Sequence, residues 1–185
     1  MTRSHRLMIL TVTAINFCMI FFDMSGVAVA LPTIQRELLC STESLSWVMT
    51  AYLLGLTATV VLAGRLADMF GHRRFLIIGL VIFLLASIIC AITPNVGWLL
   101  AGRALEGVGG AILLALSPAL IMNSFDKDAQ GKAMGLVVAF ASSFLAAGPF
   151  LAGILSEWLS WRLIFWINLP LCLLAMLLIL AFFKL

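Results

Sequence analysis

LAGRALEGVGGAILLALS, Leu100 to Ser117, is apolar enough to lie in a membrane-spanning helix, yet it carries Arg103 and Glu106. Three residues apart, the two charges share one helical face about one turn in height. Insertion scales put a charge at the centre of a span at roughly 2.5–3.5 kcal/mol, so a pair held there marks a functional site or a structural ion pair. The sequence offers one further mid-span charge, Asp23. At about 1.5 Å per residue, Asp23 sits about 12 Å below an outer end at Leu31, with Arg103 about 9 Å and Glu106 about 14 Å in from Gly97. All three ionisable groups fall in one slab of the outer half of the bilayer.

Working outward, 64% of the 185 residues are hydrophobic and 10% are charged, against roughly 25% charged in a soluble domain. Water is not this chain's solvent. Six runs reach the roughly 20 residues that cross a bilayer: Leu7–Leu31, Ser44–Gly64, Phe75–Thr93, Gly97–Met122, Lys132–Leu155 and Leu163–Phe183. They are too long and too uniformly apolar for barrel strands, which leaves helices as the only backbone that lipid tolerates. The fold expected over residues 1–185 is an all-α membrane bundle of six transmembrane helices. Asp23 falls in the first helix of one triplet and Arg103 with Glu106 in the first helix of the next, as in inverted three-helix repeats.

The formal net charge of +3 does not indicate nucleic acid, because the charges cluster in short loops. Arg3, Arg6, Arg65, Arg73, Arg74, Lys127, Lys132 and Lys184 fall on one side, and only Arg36 and Arg162 on the other. The positive-inside rule then puts both termini in the cytoplasm of a multi-pass protein of the inner (cytoplasmic) membrane. Arg3, Arg6 and Ala28-Val29-Ala30 imitate a secretory signal, but the run is too long, is interrupted by Asp23 and is followed by five more spans. Of the cysteines, Cys18, Cys90 and Cys172 lie in apolar spans and Cys40 outside them, with no C-x-x-C pair, so neither a metal site nor a disulfide framework is indicated.

Local signals complete the reading. Leu31-Pro32 marks the exit of the first span, followed by a solvated outer loop, Thr33–Ser46, carrying Glu37 and Glu43. GRLADMFGHRR, Gly64 to Arg74, reads as a tight cytoplasmic turn in which Gly64 and Gly71 permit unusual backbone angles. Asp68 can pair there with Arg65, Arg73 or Arg74, either as a plain anchor or as a latch whose pairing changes between states. The third span reads as a scaffold helix facing lipid. Ser117 is placed to satisfy a carbonyl freed by Pro118. Gly148, Pro149, Ala152 and Gly153 give the fifth span a smooth, bent strip for close helix packing or gating. Asn168 reads as an interhelical hydrogen-bond donor.

Four segments in order resemble signatures of the major facilitator superfamily, and more narrowly of its fourteen-span drug:proton antiporters. FFDMSGVAVALPTI, Phe21 to Ile34, is similar to the first-helix motif with its aspartate at Asp23. GRLADMFGHRR is similar to the loop motif between the second and third helices, the family's latch over Gly64, Asp68, Gly71, Arg73 and Arg74. GRALEGVGGA, Gly102 to Ala111, is similar to the fourth-helix motif that supplies Arg103. AAGPFLAGIL, Ala146 to Leu155, is similar to the antiporter motif, with Gly148, Pro149 and Gly153, and SWRLIFWINLP to the stretch after it. Met69 and His72 depart from the usual basic residues, Glu106 from glutamine and Ala152 from glycine.

The resemblance implies one amino-terminal half of such a transporter, two inverted three-helix repeats, without the carboxy-terminal half. It implies proton-coupled efflux of lipophilic, often cationic drugs, powered by the proton gradient without a cofactor. Asp23 and Glu106 would exchange a proton for substrate, with Arg103 tuning them: burial disfavours a charged carboxylate, a nearby guanidinium favours it, and proton and cation compete. The implied partners are lipid, protons, a small lipophilic substrate, and a second half-bundle or a second copy, not nucleic acid. The alternative is a truncated or split half-transporter, inactive alone or acting only in assembly. No intramembrane H-E-x-x-H, aspartate pair or serine–histidine set points to an enzyme.

Overall fold

The computed structural model describes residues 3–182, and each of the six apolar runs is a helix there. They are α1 (Arg3–Leu38), α2 (Thr42–Phe70), α3 (His72–Ala91), α4 (Val96–Ser124), α5 (Lys127–Trp158) and α6 (Arg162–Phe182). The Arg3 side chain, Phe183 and Lys184, used above for orientation and for the sixth span, lie outside the described residues. All six are long and apolar enough to cross a membrane.

The ends of the helices correct three expectations. Pro32 does not end α1, which runs through it for six more residues to Leu38. A proline this near a helix end removes one backbone donor, and side chains beyond it hold the extension. Gln35 Nε2 donates to Cys40 O at 3.4 Å and to Thr42 Oγ1 at 3.2 Å. The long outer loop therefore shrinks to Leu39–Ser41, with Leu39 at φ 49° and Ser41 capping α2 through the Ser44 N–H. On the opposite side the turn between α2 and α3 is Gly71 alone, at φ 97°, where a side chain would be strained. Gly64 lies inside α2 with no neighbour crowding it, so its expected role in the turn is not found.

The packing has internal symmetry. α2 lies against α4 as α5 lies against α1, and α3 lies against α4 as α6 lies against α1. Exchanging α1 with α4, α2 with α5 and α3 with α6 maps these packings onto one another, and the short connections make each exchanged pair run in opposite directions. This is the arrangement of two inverted three-helix repeats. The sequence carries a trace of it: AGRLADMFGHRRF, Ala63 to Phe75, aligns without a gap on AGILSEWLSWRLI, Ala152 to Ile164, keeping Ala, Gly, Leu and Arg.

α1 and α4 are the most buried helices and α2 and α5 the least. Two apolar cores fill the bundle, one around Val12, Leu80, Leu116 and Ile179, the other around Val27, Val48, Leu99 and Phe165. Buried polar residues separate the cores on four helices: Asp23 on α1, Ser87 on α3, Arg103 and Glu106 on α4, and Asn168 on α6. Small residues set the helix spacing at this level. A Cβ at Gly107 would overlap the Tyr52 carbonyl, which fixes α4 hard against α2.

Candidate functional site: a buried carboxylate–guanidinium centre

Asp23, Arg103 and Glu106, predicted at one depth, meet in a single cluster and are fully buried. Arg103 Nη1 donates to Asp23 Oδ2 at 2.5 Å and to Glu106 Oε2 at 2.7 Å. Both carboxylates thus share one nitrogen, the first from α1 across the bundle and the second from one turn along α4. The guanidinium carbon lies 4.3 Å from the Tyr52 ring centroid and 5.9 Å from that of Phe165, within cation–π range. Nε reaches the Val48 carbonyl of α2 at 3.5 Å. The charged groups are enclosed by this bundle rather than open to a cleft.

Glu106 has further neighbours. Ser87 Oγ lies 2.5 Å from its Oε1, Asn168 Nδ2 reaches the same oxygen at 3.5 Å, and Cys90 Sγ is 3.9 Å from Oε2. Asn168 Nδ2 also donates to Ser87 Oγ at 3.2 Å, so its expected interhelical role holds. α3 corrects the expectation of a lipid-facing scaffold, because it supplies Ser87 and Cys90 to the centre. Tyr52, Ser87 and Cys90 were missed as site residues. Each is one weakly polar group in an apolar run, and only its match in depth to Arg103 gives it away.

The other site residues fall elsewhere. At the far end of α2, Asp68 Oδ1 lies 3.4 Å from His72 Nε2, and among the described residues no ion pair joins it to Arg65, Arg73 or Arg74. This corrects the expected pairing. With a turn only one residue long, His72 is the basic group four positions from Asp68 and within its reach. Arg73 and Arg74 start α3 alongside it, and Gly64 and Gly71 have open space around their Cα atoms.

Gly148 and Gly153 of α5 do line its contact with α1. A Cβ at Gly148 would overlap Ser25 Oγ, and one at Gly153 would sit 3.8 Å from Val29. Pro149 points outward.

Two further polar groups corrected the reading of their segments. Glu37, placed in a solvated loop by sequence, accepts from Trp161 Nε1 at 2.5 Å and pairs with Arg162, which also donates to Thr93 O at 3.1 Å. This clasp ties the stretch of α1 beyond Pro32 to the start of α6 and to the connection after α3. Ser117 Oγ accepts from Asn16 Nδ2 at 2.9 Å, so it ties α4 to α1.

The Major Facilitator Superfamily profile matches residues 13–185. The chain is 37% identical over 166 residues to the multidrug resistance protein Stp of Mycobacterium tuberculosis (strain CDC 1551 / Oshkosh), covering 89% of this chain and 31% of that protein. It is 35% identical over 170 residues to the methylenomycin A resistance protein of Bacillus subtilis (strain 168), covering 91% and 36%. With the puromycin resistance protein pur8 of Streptomyces alboniger it shares 39% over 160 residues, covering 86% and 32%. The chain spans about a third of the length of these curated relatives. It belongs to the Major Facilitator Superfamily, a family of membrane transporters rather than enzymes.

Proposed function

We propose that this chain takes part in proton-coupled export of lipophilic, often cationic drugs across the cytoplasmic membrane, with both termini in the cytoplasm. The observation that carries the reading is the buried centre, in which two carboxylates share one guanidinium nitrogen. With both acids ionised the cluster bears one net negative charge in a medium where charge is poorly solvated. A proton or a drug cation neutralises it, and the two compete, which is the requirement for antiport. The resistance named for the relatives supports a drug as the substrate.

The Asp68–His72 turn with Arg73 and Arg74 serves as a latch, and the small-residue strip at Gly148, Pro149 and Gly153 lets α5 follow α1 as the bundle moves. The open faces of α2 and α5 suit a second bundle, separate or a second copy of this chain. The proton gradient is the only energy source, with no cofactor. In drug-sensitive cells expressing the chain, Asp23→Asn is expected to abolish efflux of a cationic dye while the protein stays in the membrane. Efflux equal to that of the unsubstituted chain would reject the reading.

A further inference from the structure

Beyond Pro32, α1 runs on as a tip, residues 33–38, of which only Ile34 is fully buried. Pro32 has no N–H to give to the carbonyl four residues back, so the tip joins the rest of the helix across a missing backbone bond. Glu37 seats the tip on α6: Trp161 Nε1 donates to Glu37 Oε2 at 2.5 Å, and Arg162 pairs with the other oxygen. Between the tip and the end of α5 lies an open cavity of about 500 Å³, lined by Thr33, Arg36, Glu37, Ser156 and Glu157.

Arg36 on the α1 wall of that cavity and Glu157 on the α5 wall carry opposite charges, yet among the described residues no ion pair joins them. Arg36 instead donates within its own helix, to Pro32 O at 3.4 Å and Thr33 Oγ1 at 3.3 Å. The gap-free match of Ala63–Phe75 to Ala152–Ile164 puts Glu157 on Asp68 and Arg162 on Arg73. The outer turn therefore repeats, upside down, an acid and a base of the cytoplasmic turn, and α1 offers a countercharge to each: Glu37 to Arg162, Arg36 to Glu157. The cavity separates the second pair, so closing it draws the tip away from α6. Both pairings join partly exposed groups. Ion pairs of that kind are weak, so neither fixes the tip against the other.

We infer that the α1 tip is a strap hinged at Pro32 with two seats: Glu37 on Trp161 and Arg162, as in this structure, and Arg36 on Glu157 with the cavity closed. In the first seat Ile34 fills the outer core beside Val27, Val48, Leu99 and Phe165, above the charged centre. The second seat withdraws it. That this opens an outer route to the centre rests on the transport reading; the two seats themselves do not.

Spin-label distance measurements on the full chain in lipid nanodiscs read the seats directly. Nitroxides go on Leu39→Cys beside the tip and Trp158→Cys at the end of α5, both exposed positions, with Cys40→Ser and Cys90→Ala removing native thiols near them. The parent should give one main distance. Glu37→Gln should add a shorter one, and Arg162→Gln, which empties the same seat from the other partner, should add it too, so the result does not hang on one variant. Adding Glu157→Gln or Arg36→Gln to Glu37→Gln should remove the shorter distance. In unlabelled chains that keep Cys90, Glu37→Gln should raise the rate at which a small water-soluble thiol reagent modifies this buried thiol several-fold. A distance distribution unchanged by both Glu37→Gln and Arg162→Gln, a short distance that survives loss of the Glu157 or Arg36 charge, or Cys90 reacting no faster in Glu37→Gln would overturn the inference. None of these measurements uses substrate or a gradient, so dye efflux by Asp23→Asn tests the transport reading separately.

Discussion

The charged centre and the α2–α3 turn both gather acidic and basic groups, and both match motifs of the superfamily, yet their physical situations are opposite. In the centre every charge faces another helix of the same bundle, and Arg103, Asp23 and Glu106 expose nothing. At the turn Asp68 is largely exposed and, among the described residues, pairs only with the neighbouring His72, while Arg65 and Arg74 face outward. Buried ion pairs are strongly destabilised by loss of one partner, whereas exposed pairs contribute about 0–1 kcal/mol. The centre is thus intolerant of losing any one of its members. A role for the turn has to come from something outside it.

Substitutions separate these situations, and the largest effect is expected in the centre. Arg103→Ala strands two buried carboxylates and should cost about 3–5 kcal/mol, read as a large drop in the unfolding temperature of the purified protein in detergent. A variant as stable as the parent would mean that the cluster is not closed. Gly107→Val tests the spacing that the cluster needs. Its Cβ would strike the Tyr52 carbonyl, and overpacking typically costs about 1–3 kcal/mol, so a lower melting temperature and a weakened α2–α4 contact in cysteine crosslinking are expected.

Glu37→Gln lies between the extremes. It removes the charge that Arg162 and Trp161 share at a half-exposed site, so about 1 kcal/mol is expected, with increased protease access at Leu39. Asp68→Asn should change stability least, within about 0.5 kcal/mol as surface substitutions do. If dye efflux nonetheless falls, the turn acts through a partner outside the bundle. If efflux is unchanged, the latch reading of Asp68 is lost.

The same contrast explains what the sequence made legible. Asp23, Arg103 and Glu106 stand out because a charge inside an apolar run is costly and rare, and a count of residues per turn places them at one depth. The six spans are legible for the same reason of solvent. The partners that complete the centre are not, because a serine, a tyrosine or a cysteine is tolerated anywhere in a span, and only the packing of α3 and α2 on α4 turns Ser87, Cys90 and Tyr52 inward. The passage of α1 through Pro32 was hidden because what ties the stretch beyond it is Glu37 meeting Trp161 and Arg162, more than a hundred residues away. The Asp68 pairing failed because the turn is a single residue, where the apolar runs had left residues 65–74 between the second and third spans.

The most direct test of the central claim is proton release on binding. A cationic substrate such as tetraphenylphosphonium is added to the purified chain in weakly buffered solution, and the pH change is followed for the parent and for Asp23→Asn. The account expects the parent to release protons in proportion to cation bound and Asp23→Asn to release none. Equal release by both, or binding by the parent without release, would contradict it.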